Sequence, residues 1–121
     1  MPFEAVLYDE PSLFAGKAHA VICRSWKNRV KGRDLYDFVF YLAHGTPMNL
    51  PHLAAKLEQT GRIESAEGFT LDDARGLLRA RFSEIDYDQA KADVRPFIAT
   101  PASLDVWSAD FFCSLVDAIR V

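Results

Sequence analysis

Five charged residues near the start of the chain have types and spacings suited to phosphate chemistry: Lys17, Arg24, Arg33, Asp34 and Asp37. Lys17 and Arg24 lie seven residues apart and share one helix face, while Arg33 and Asp37 lie four apart and share another. If the two helices pack as a hairpin, these cations and carboxylates converge. Such a group suits triphosphate chemistry, because cations neutralise phosphate oxygens and a carboxylate binds magnesium or orients an attacking hydroxyl.

The same residues also allow a purely structural interpretation. Arg33 and Asp37 can form an i,i+4 surface ion pair, which contributes at most about 0.5 kcal/mol. Asp34 can cap the second helix, where its charge is favourable near the helix N-terminus. Spacing alone leaves both interpretations open.

A basic run lies between the two predicted helices. Arg24, Lys27, Arg29, Lys31 and Arg33 occupy five of ten positions with no acid among them. Lys27, Arg29 and Lys31 are therefore candidate RNA-binding residues, since clustered cations bind the phosphate backbone; a solvated helix face is the structural alternative. Residues 1–33 hold six Lys/Arg against three Asp/Glu, although the whole chain has a net charge of -3.

Two helices must position the candidate residues. Apolar residues recur at the helical period along almost the whole chain, and they predict helices over about 11–26 and 33–44. A third helix follows Asn49, which suits an N-cap, with Pro51 in the first turn. The second helix is apolar nearly all round, so we expect it to be buried centrally or at an interface.

Three further helical segments follow a polar loop at 61–68. Thr70 begins a capping pattern for the fourth helix, whose apolar stripe extends to Ile85. Asp86 or Asp88 can cap a short fifth helix, and Pro96 should end or kink it. The N-cap of the last segment is one of Ser103, Asp105 and Ser108.

These elements predict an all-α bundle of five to six helices in a single domain over residues 1–121, with one short extended segment available at 3–8. A chain of 121 residues with 50% hydrophobic residues can build one core but not two. No apolar run is long enough to span a bilayer and no signal peptide begins the sequence, so we expect a cytoplasmic protein without membrane contact. Two distant cysteines and scattered histidines predict no metal site.

Residues 12–42, SLFAGKAHAVICRSWKNRVKGRDLYDFVFYL, resemble the third conserved block of the AbiEii/AbiGii nucleotidyltransferase toxins. That block has a lysine near the start of one helix, followed by an Arg-Asp-x-x-Asp-type segment. The stretches DYDQAKADVRPFI at 86–98 and SLDVWSADFF at 103–112 are similar to the C-terminal helical part of bacterial members. The resemblance therefore covers nearly the whole chain.

The resemblance implies a polymerase-beta-type nucleotidyltransferase from a type IV toxin–antitoxin or abortive-infection system. It implies a nucleoside triphosphate and Mg2+ as cofactors, tRNA ends as acceptors, and a transcriptional-regulator antitoxin as partner. By position, Lys17 would contact the triphosphate and Asp37 would be the catalytic carboxylate of the third block. Arg33 and Asp34 would support it, and Arg24 is a further nucleotide-binding candidate.

The sequence also departs from the family pattern. Members carry a Gly-Ser segment and an Asp-x-Asp pair on adjacent strands, whereas this chain has no Gly-Ser dipeptide. Its one Asp-x-Asp is Asp86-Tyr87-Asp88, at a predicted helix start, where it suits capping. We therefore expect the helical part of a toxin whose sheet domain is missing, inactive alone, and able to form a homodimer through its uncovered apolar surface.

Overall fold

A computed structural model describes residues 9–23 and 31–121 of the chain. Over these residues the fold is all-α, as predicted. The six α-helices are α1 (Glu10–Cys23), α2 (Gly32–Ala43), α3 (Leu50–Gln59), α4 (Leu71–Phe82), α5 (Tyr87–Val94) and α6 (Ala109–Val116). Two 3-10 helices, Arg95–Phe97 and Pro101–Val106, connect α5 to α6.

Side-chain caps fix the starts of the later helices. The Asn49 side chain accepts a hydrogen bond from the His52 N–H, and Thr70 forms a reciprocal capping box with Asp73. Asp86, rather than Asp88, caps α5. Ser108 caps α6. The caps predicted for the third and fourth helices are therefore confirmed, and the two alternatives left open are resolved.

Two helical segments differ from the prediction, and two other predicted features are not tested. The predicted end of the first helix at residue 26 and the extended segment at 3–8 both lie outside the described residues. Helix α4 ends at Phe82, before Ile85. The last segment is two helices, because Trp107 adopts an extended backbone between Pro101–Val106 and the Ser108 cap.

A row of four phenylalanines runs through the core and joins four helices. Phe14 of α1 meets Phe38 of α2 with ring centroids 5.2 Å apart, and Phe38 meets Phe82 of α4 at 5.5 Å. Phe82 in turn lies 5.0 Å from Phe112 of α6. All four rings are fully buried, so this row sets the distances at which the helices pack.

Helix α2 has a buried side and an exposed side. Leu35 and Phe38 are fully buried, whereas Tyr36 is 40% exposed and Phe40 is 47% exposed. The prediction of central burial is therefore right for one side of α2 only, and apolar surface remains on the other.

Across the residues that the structure describes, no helix is long and apolar enough to cross a bilayer.

Candidate functional site

The pairing of α1 with α2 brings the candidate residues together. Phe14 contacts both Phe38 and Tyr41, while Lys17 contacts Asp34 and Asp37. Contacts therefore move back along α2 as the chain advances along α1, so the two helices are antiparallel. Lys17 lies one turn beyond Phe14, and Asp34 lies one turn before Phe38. The buried ring pair thus places the charged groups directly beside it.

Lys17 lies between two carboxylates of α2, and we call these three residues the Lys17 cluster. The Lys17 Nζ is 2.9 Å from Asp37 Oδ2 and 3.5 Å from Asp34 Oδ1. The Asp34 side chain is only 9% exposed, whereas about a third of the Lys17 and Asp37 side chains reaches solvent. The cluster therefore has an inner carboxylate and an outer side open to a ligand.

The charge of Lys17 is stabilised within this cluster. Burial by itself lowers the pKa of an ammonium group, but the hydrogen bond and charge of Asp37, together with the charge of Asp34, outweigh it. The net effect raises the pKa of Lys17 above its ordinary value near 10.5. Lys17 is thus a fixed cation at neutral pH, which suits a group that binds anions rather than one that accepts a proton.

Close contact between α2 and α5 fixes the start of α2. The Gly32 N–H donates a hydrogen bond to Asp93 Oδ2 at 3.2 Å. A Cβ atom at Gly32 would overlap the carbonyl oxygen of Ala90 and lie 3.1 Å from the Asp93 Cβ. Only glycine fits at this position, and its close approach sets the position of the α2 residues that follow.

Next to the Lys17 cluster, a cavity of about 480 Å3 opens between α2 and the 3-10 helix after α5. We call it the α2–α5 cavity. Its lining residues are Arg33, Tyr36, Asp37, Val94, Phe97 and Ile98. Arg33 and Asp37 therefore share a helix face, as their spacing predicts, and Asp37 belongs to both the cavity and the Lys17 cluster. This volume falls in the range of small-molecule pockets.

Asp34 is not the N-cap of α2 and the described residues form no Arg33–Asp37 ion pair, although the charge of Asp34 does lie in the first turn, where it is favourable. The N-cap of α2 is Lys31, which makes no side-chain cap, and Asp34 lies within the first turn. Helix α2 starts at Gly32 because it is held against α5, so Asp34 follows the cap position and faces Lys17 instead. Asp37 pairs with Lys17, and Arg33 forms no ion pair with any described residue.

The remaining sequence candidates divide into two groups. Arg24, Lys27 and Arg29 lie outside the described residues, so their predicted roles stay predictions. Lys31 and Arg33 are exposed at the start of α2. The structure thus brings together Lys17, Asp34 and Asp37, with Arg33 on the adjoining cavity wall.

The described residues do not form a magnesium site. In residues 9–23 and 31–121, no three His, Cys, Asp or Glu side chains are grouped so as to hold a metal ion. Asp34 and Asp37 offer two carboxylates, but the Lys17 ammonium already contacts both of them. A metal ion here would repel this ammonium, so this arrangement does not fit Mg2+.

The sequence pattern does not single out Phe97 and Tyr36, two residues of the cavity, as functional candidates. Phe97 follows Pro96 beyond the end of α5, where the apolar periodicity gives no assignment, and it is 82% exposed. The sequence pattern indicates Tyr36 only as part of the apolar surface of its helix. A phenylalanine that follows a helix-ending proline and belongs to no apolar stripe is the sequence signal that indicates a candidate binding residue.

The sequence matches one family model, the nucleotidyl transferase AbiEii toxin of type IV toxin–antitoxin systems, over residues 1–112. Comparisons with curated proteins and with solved structures found no match. The matched range contains the Lys17 cluster and all the residues that line the α2–α5 cavity. This chain therefore belongs to the AbiEii family of nucleotidyl transferase toxins.

Proposed function

We propose that this chain supplies the helical part of a nucleotidyltransferase active site, in which Lys17 binds the triphosphate and Asp37 orients a reacting hydroxyl. The observation that carries the proposal is the contact of Lys17 with both aspartates of the Arg-Asp-Leu-Tyr-Asp segment, at a surface where Lys17 and Asp37 remain partly exposed. Membership of a nucleotidyl transferase family supports it, since that activity uses a nucleoside triphosphate and a metal ion.

The chemistry assigned to the Lys17 cluster is electrostatic. In nucleotidyl transfer, an acceptor hydroxyl attacks the α-phosphorus and pyrophosphate leaves, so negative charge develops on phosphate oxygens. A positioned ammonium stabilises that charge without reorganisation when it is held in place beforehand. Asp37 and Asp34 hold Lys17 in this way, and Asp37 is exposed enough to contact the acceptor as well.

The cluster is only part of a complete site. We propose that transfer also requires a nucleotidyltransferase domain bearing the Gly-Ser and Asp-x-Asp residues, which would supply the metal ligands. Two facts support this: the 121 residues contain no Gly-Ser dipeptide, and the single Asp-x-Asp lies at the start of α5, where Asp86 caps the helix. The family implies an antitoxin partner. tRNA is the acceptor that we propose.

The test is a transfer assay with labelled nucleoside triphosphates, magnesium and tRNA. The chain is assayed alone and together with a nucleotidyltransferase domain that bears the missing motifs. We expect activity only in the combined sample, and a loss of about 100-fold in Lys17→Ala and in Asp37→Ala. Lys17→Arg, which keeps the charge, should retain part of the activity.

Two matched variants control for general effects of removing a charge. Lys91 and Asp88 lie on α5, and neither pairs with a described residue. Lys91→Ala and Asp88→Ala should transfer nucleotides at the unsubstituted rate. Wild-type transfer by both Lys17→Ala and Asp37→Ala would refute the assignment.

A second candidate function is RNA binding through residues 24–33 without catalysis. The exposure of Lys31 and Arg33, and their lack of an ion pair with any described residue, favour it. It predicts RNA binding that weakens with salt and weakens further in the Arg29→Ala/Lys31→Ala double variant, measured by fluorescence anisotropy. Absence of RNA binding at low salt would exclude this function.

Homodimerisation remains a separate proposal. Phe40 is 47% exposed and lines a smaller cavity of about 250 Å3 together with Trp107 and Phe111. A second copy would cover this apolar surface. Light scattering at high protein concentration should show a dimer that Phe40→Asp weakens, and a monomer at all concentrations would contradict the proposal.

A further inference from the structure

Tyr36 and Phe97, the two aromatic residues that line the α2–α5 cavity, differ from the other aromatic residues of the described chain. Neither makes a ring–ring contact with another described residue, whereas every other described aromatic except Phe69 does. Phe97 is 82% exposed and Tyr36 is 40% exposed. Both rings line one cavity, so the chain presents two unstacked aromatic faces at a single place.

An unpaired cation lies on the same cavity wall. Arg33 forms no hydrogen bond or ion pair with the described residues, although Asp37 lies one turn away on the same face. Asp37 is instead bound to Lys17 at 2.9 Å. The guanidinium of Arg33 is therefore available to an incoming anion, and its planar donors suit phosphate oxygens.

Together these residues match the chemistry of a nucleotide. Every nucleobase has a π-face that stacks on aromatic side chains, and its phosphates bind arginine. The remaining cavity walls, Val94 and Ile98, are aliphatic and suit the edge of a base. A cavity of about 480 Å3 is large enough for a ligand of this size.

We propose that the α2–α5 cavity binds an unstacked nucleobase, with Phe97 and Tyr36 against its ring and Arg33 at its phosphate. This inference rests on the proposed function, since Asp37 joins the cavity to the Lys17 cluster and places the base beside the triphosphate site. The base belongs either to a nucleoside triphosphate or to the single-stranded end of an RNA acceptor. The recognition chemistry is the same for both.

The experiment is a titration of the chain, labelled with 13C at Phe and Tyr rings, followed by NMR. The ligands are the four ribonucleoside triphosphates, an RNA trinucleotide with a free 3′ hydroxyl, and tripolyphosphate, which has no base. Nucleotides should shift the ring signals of Phe97 and Tyr36. Tripolyphosphate should leave those signals in place.

Variants separate stacking from charge. Phe97→Ala should weaken nucleotide binding about tenfold and leave tripolyphosphate binding unchanged, while Phe97→Trp should retain nucleotide binding. Phe97 is so exposed that its replacement leaves the core intact. Phe40→Ala, which removes another exposed ring of α2 outside this cavity, is the matched control and should bind nucleotides like the unsubstituted chain.

The two sources of the base give different outcomes. Tighter binding of triphosphates than of the trinucleotide assigns the cavity to the nucleotide substrate, and the reverse assigns it to the acceptor end. Unmoved ring signals with all nucleotides would overturn the proposal, as would equal weakening of nucleotide and tripolyphosphate binding by Phe97→Ala. If either result occurs while Lys17→Ala still lowers transfer about 100-fold, the proposed function stands and only the base site fails.

Discussion

Residues 33–37 and residues 86–88 each hold two aspartates beside a tyrosine, yet the aspartates face different partners. Asp86 lies immediately before α5 and accepts a hydrogen bond from the Gln89 N–H at 3.1 Å, while Asp88 is exposed. Asp34 and Asp37 lie within α2 and contact Lys17 of another helix. One pair organises its own helix start, and the other pair forms an interhelical charge cluster.

Position relative to a helix start decides what each aspartate contacts. A capping side chain must precede the helix to reach the free N–H groups of the first turn. Asp86 meets that condition, whereas Asp34 comes after it because α2 begins at Gly32. The side chains of α2 therefore reach α1, and the partner that they meet there is a cation.

We expect the largest effect from Gly32→Ala. This substitution displaces residues 33–37 of α2 and leaves the cap at residues 86–88 unchanged. The new methyl group would overlap the Ala90 carbonyl oxygen, and backbone atoms cannot rotate away. We expect a loss of about 3 kcal/mol in the free energy of unfolding, measured by urea denaturation.

Gly76→Ala is the matched control for that variant. Gly76 also lies within a helix, but a Cβ atom there meets nothing within 4 Å. Replacement should stabilise the chain by up to about 1 kcal/mol, because alanine has the higher helix propensity. Similar stabilities for Gly32→Ala and Gly76→Ala would show that α2 does not depend on its contact with α5.

The next largest effect is expected when Lys17, the cation that distinguishes the two aspartate pairs, is replaced. Lys17→Met keeps the length of the side chain but leaves Asp37 without its 2.9 Å partner and takes a charge away from Asp34. We expect a loss of about 2 kcal/mol, as for other charge-assisted contacts. Lys91→Met, with no ion pair to the described chain, should change stability by less than about 0.5 kcal/mol.

Replacing Asp86 and Asp88 one at a time tests which of them stabilises the start of α5. Asp86→Ala should cost about 1 kcal/mol, because the Gln89 N–H loses its acceptor at the start of α5. Asp88→Ala removes an exposed acid from the first turn and should cost only about 0.3 kcal/mol. A larger loss from Asp88→Ala than from Asp86→Ala in thermal unfolding would mean that the cap is wrongly assigned.

Local signals in the sequence were enough to predict much of this fold. Asn49 and Thr70 cap helices where the sequence predicts, and Asp86 is one of the two caps that it allows for α5, because caps act on N–H groups within three residues. Helix spacing, with the assumption of a hairpin, predicts that cations and carboxylates of α1 and α2 converge, but not which of them pair. These features depend on near neighbours or on one pair of helices.

Features that depend on distant packing could not be predicted. The start of α2 is set by Ala90 and Asp93, nearly sixty residues further along the chain, and no local pattern shows that contact. The α2–α5 cavity likewise needs Phe97 beside Tyr36. Sequence periodicity shows which side of a helix is apolar, but not which apolar residues stay exposed.

The smallest effect expected is a pH dependence confined to the Lys17 cluster. The folded state raises the pKa of Lys17, since Asp37 and Asp34 together outweigh the opposing effect of burial. The folded chain thus binds this proton more tightly than the unfolded chain, so the added stability is complete below about pH 10.5 and is lost as the pH rises through the higher folded pKa. The stability difference between the unsubstituted chain and Lys17→Met should therefore be constant from pH 7 to pH 9 and shrink above about pH 10.5 in urea denaturation. The difference for Asp86→Ala should not change over the same range, because that cap contains no lysine. A Lys17→Met difference that stayed constant to pH 12 would show that the ammonium charge of Lys17 adds nothing to folding.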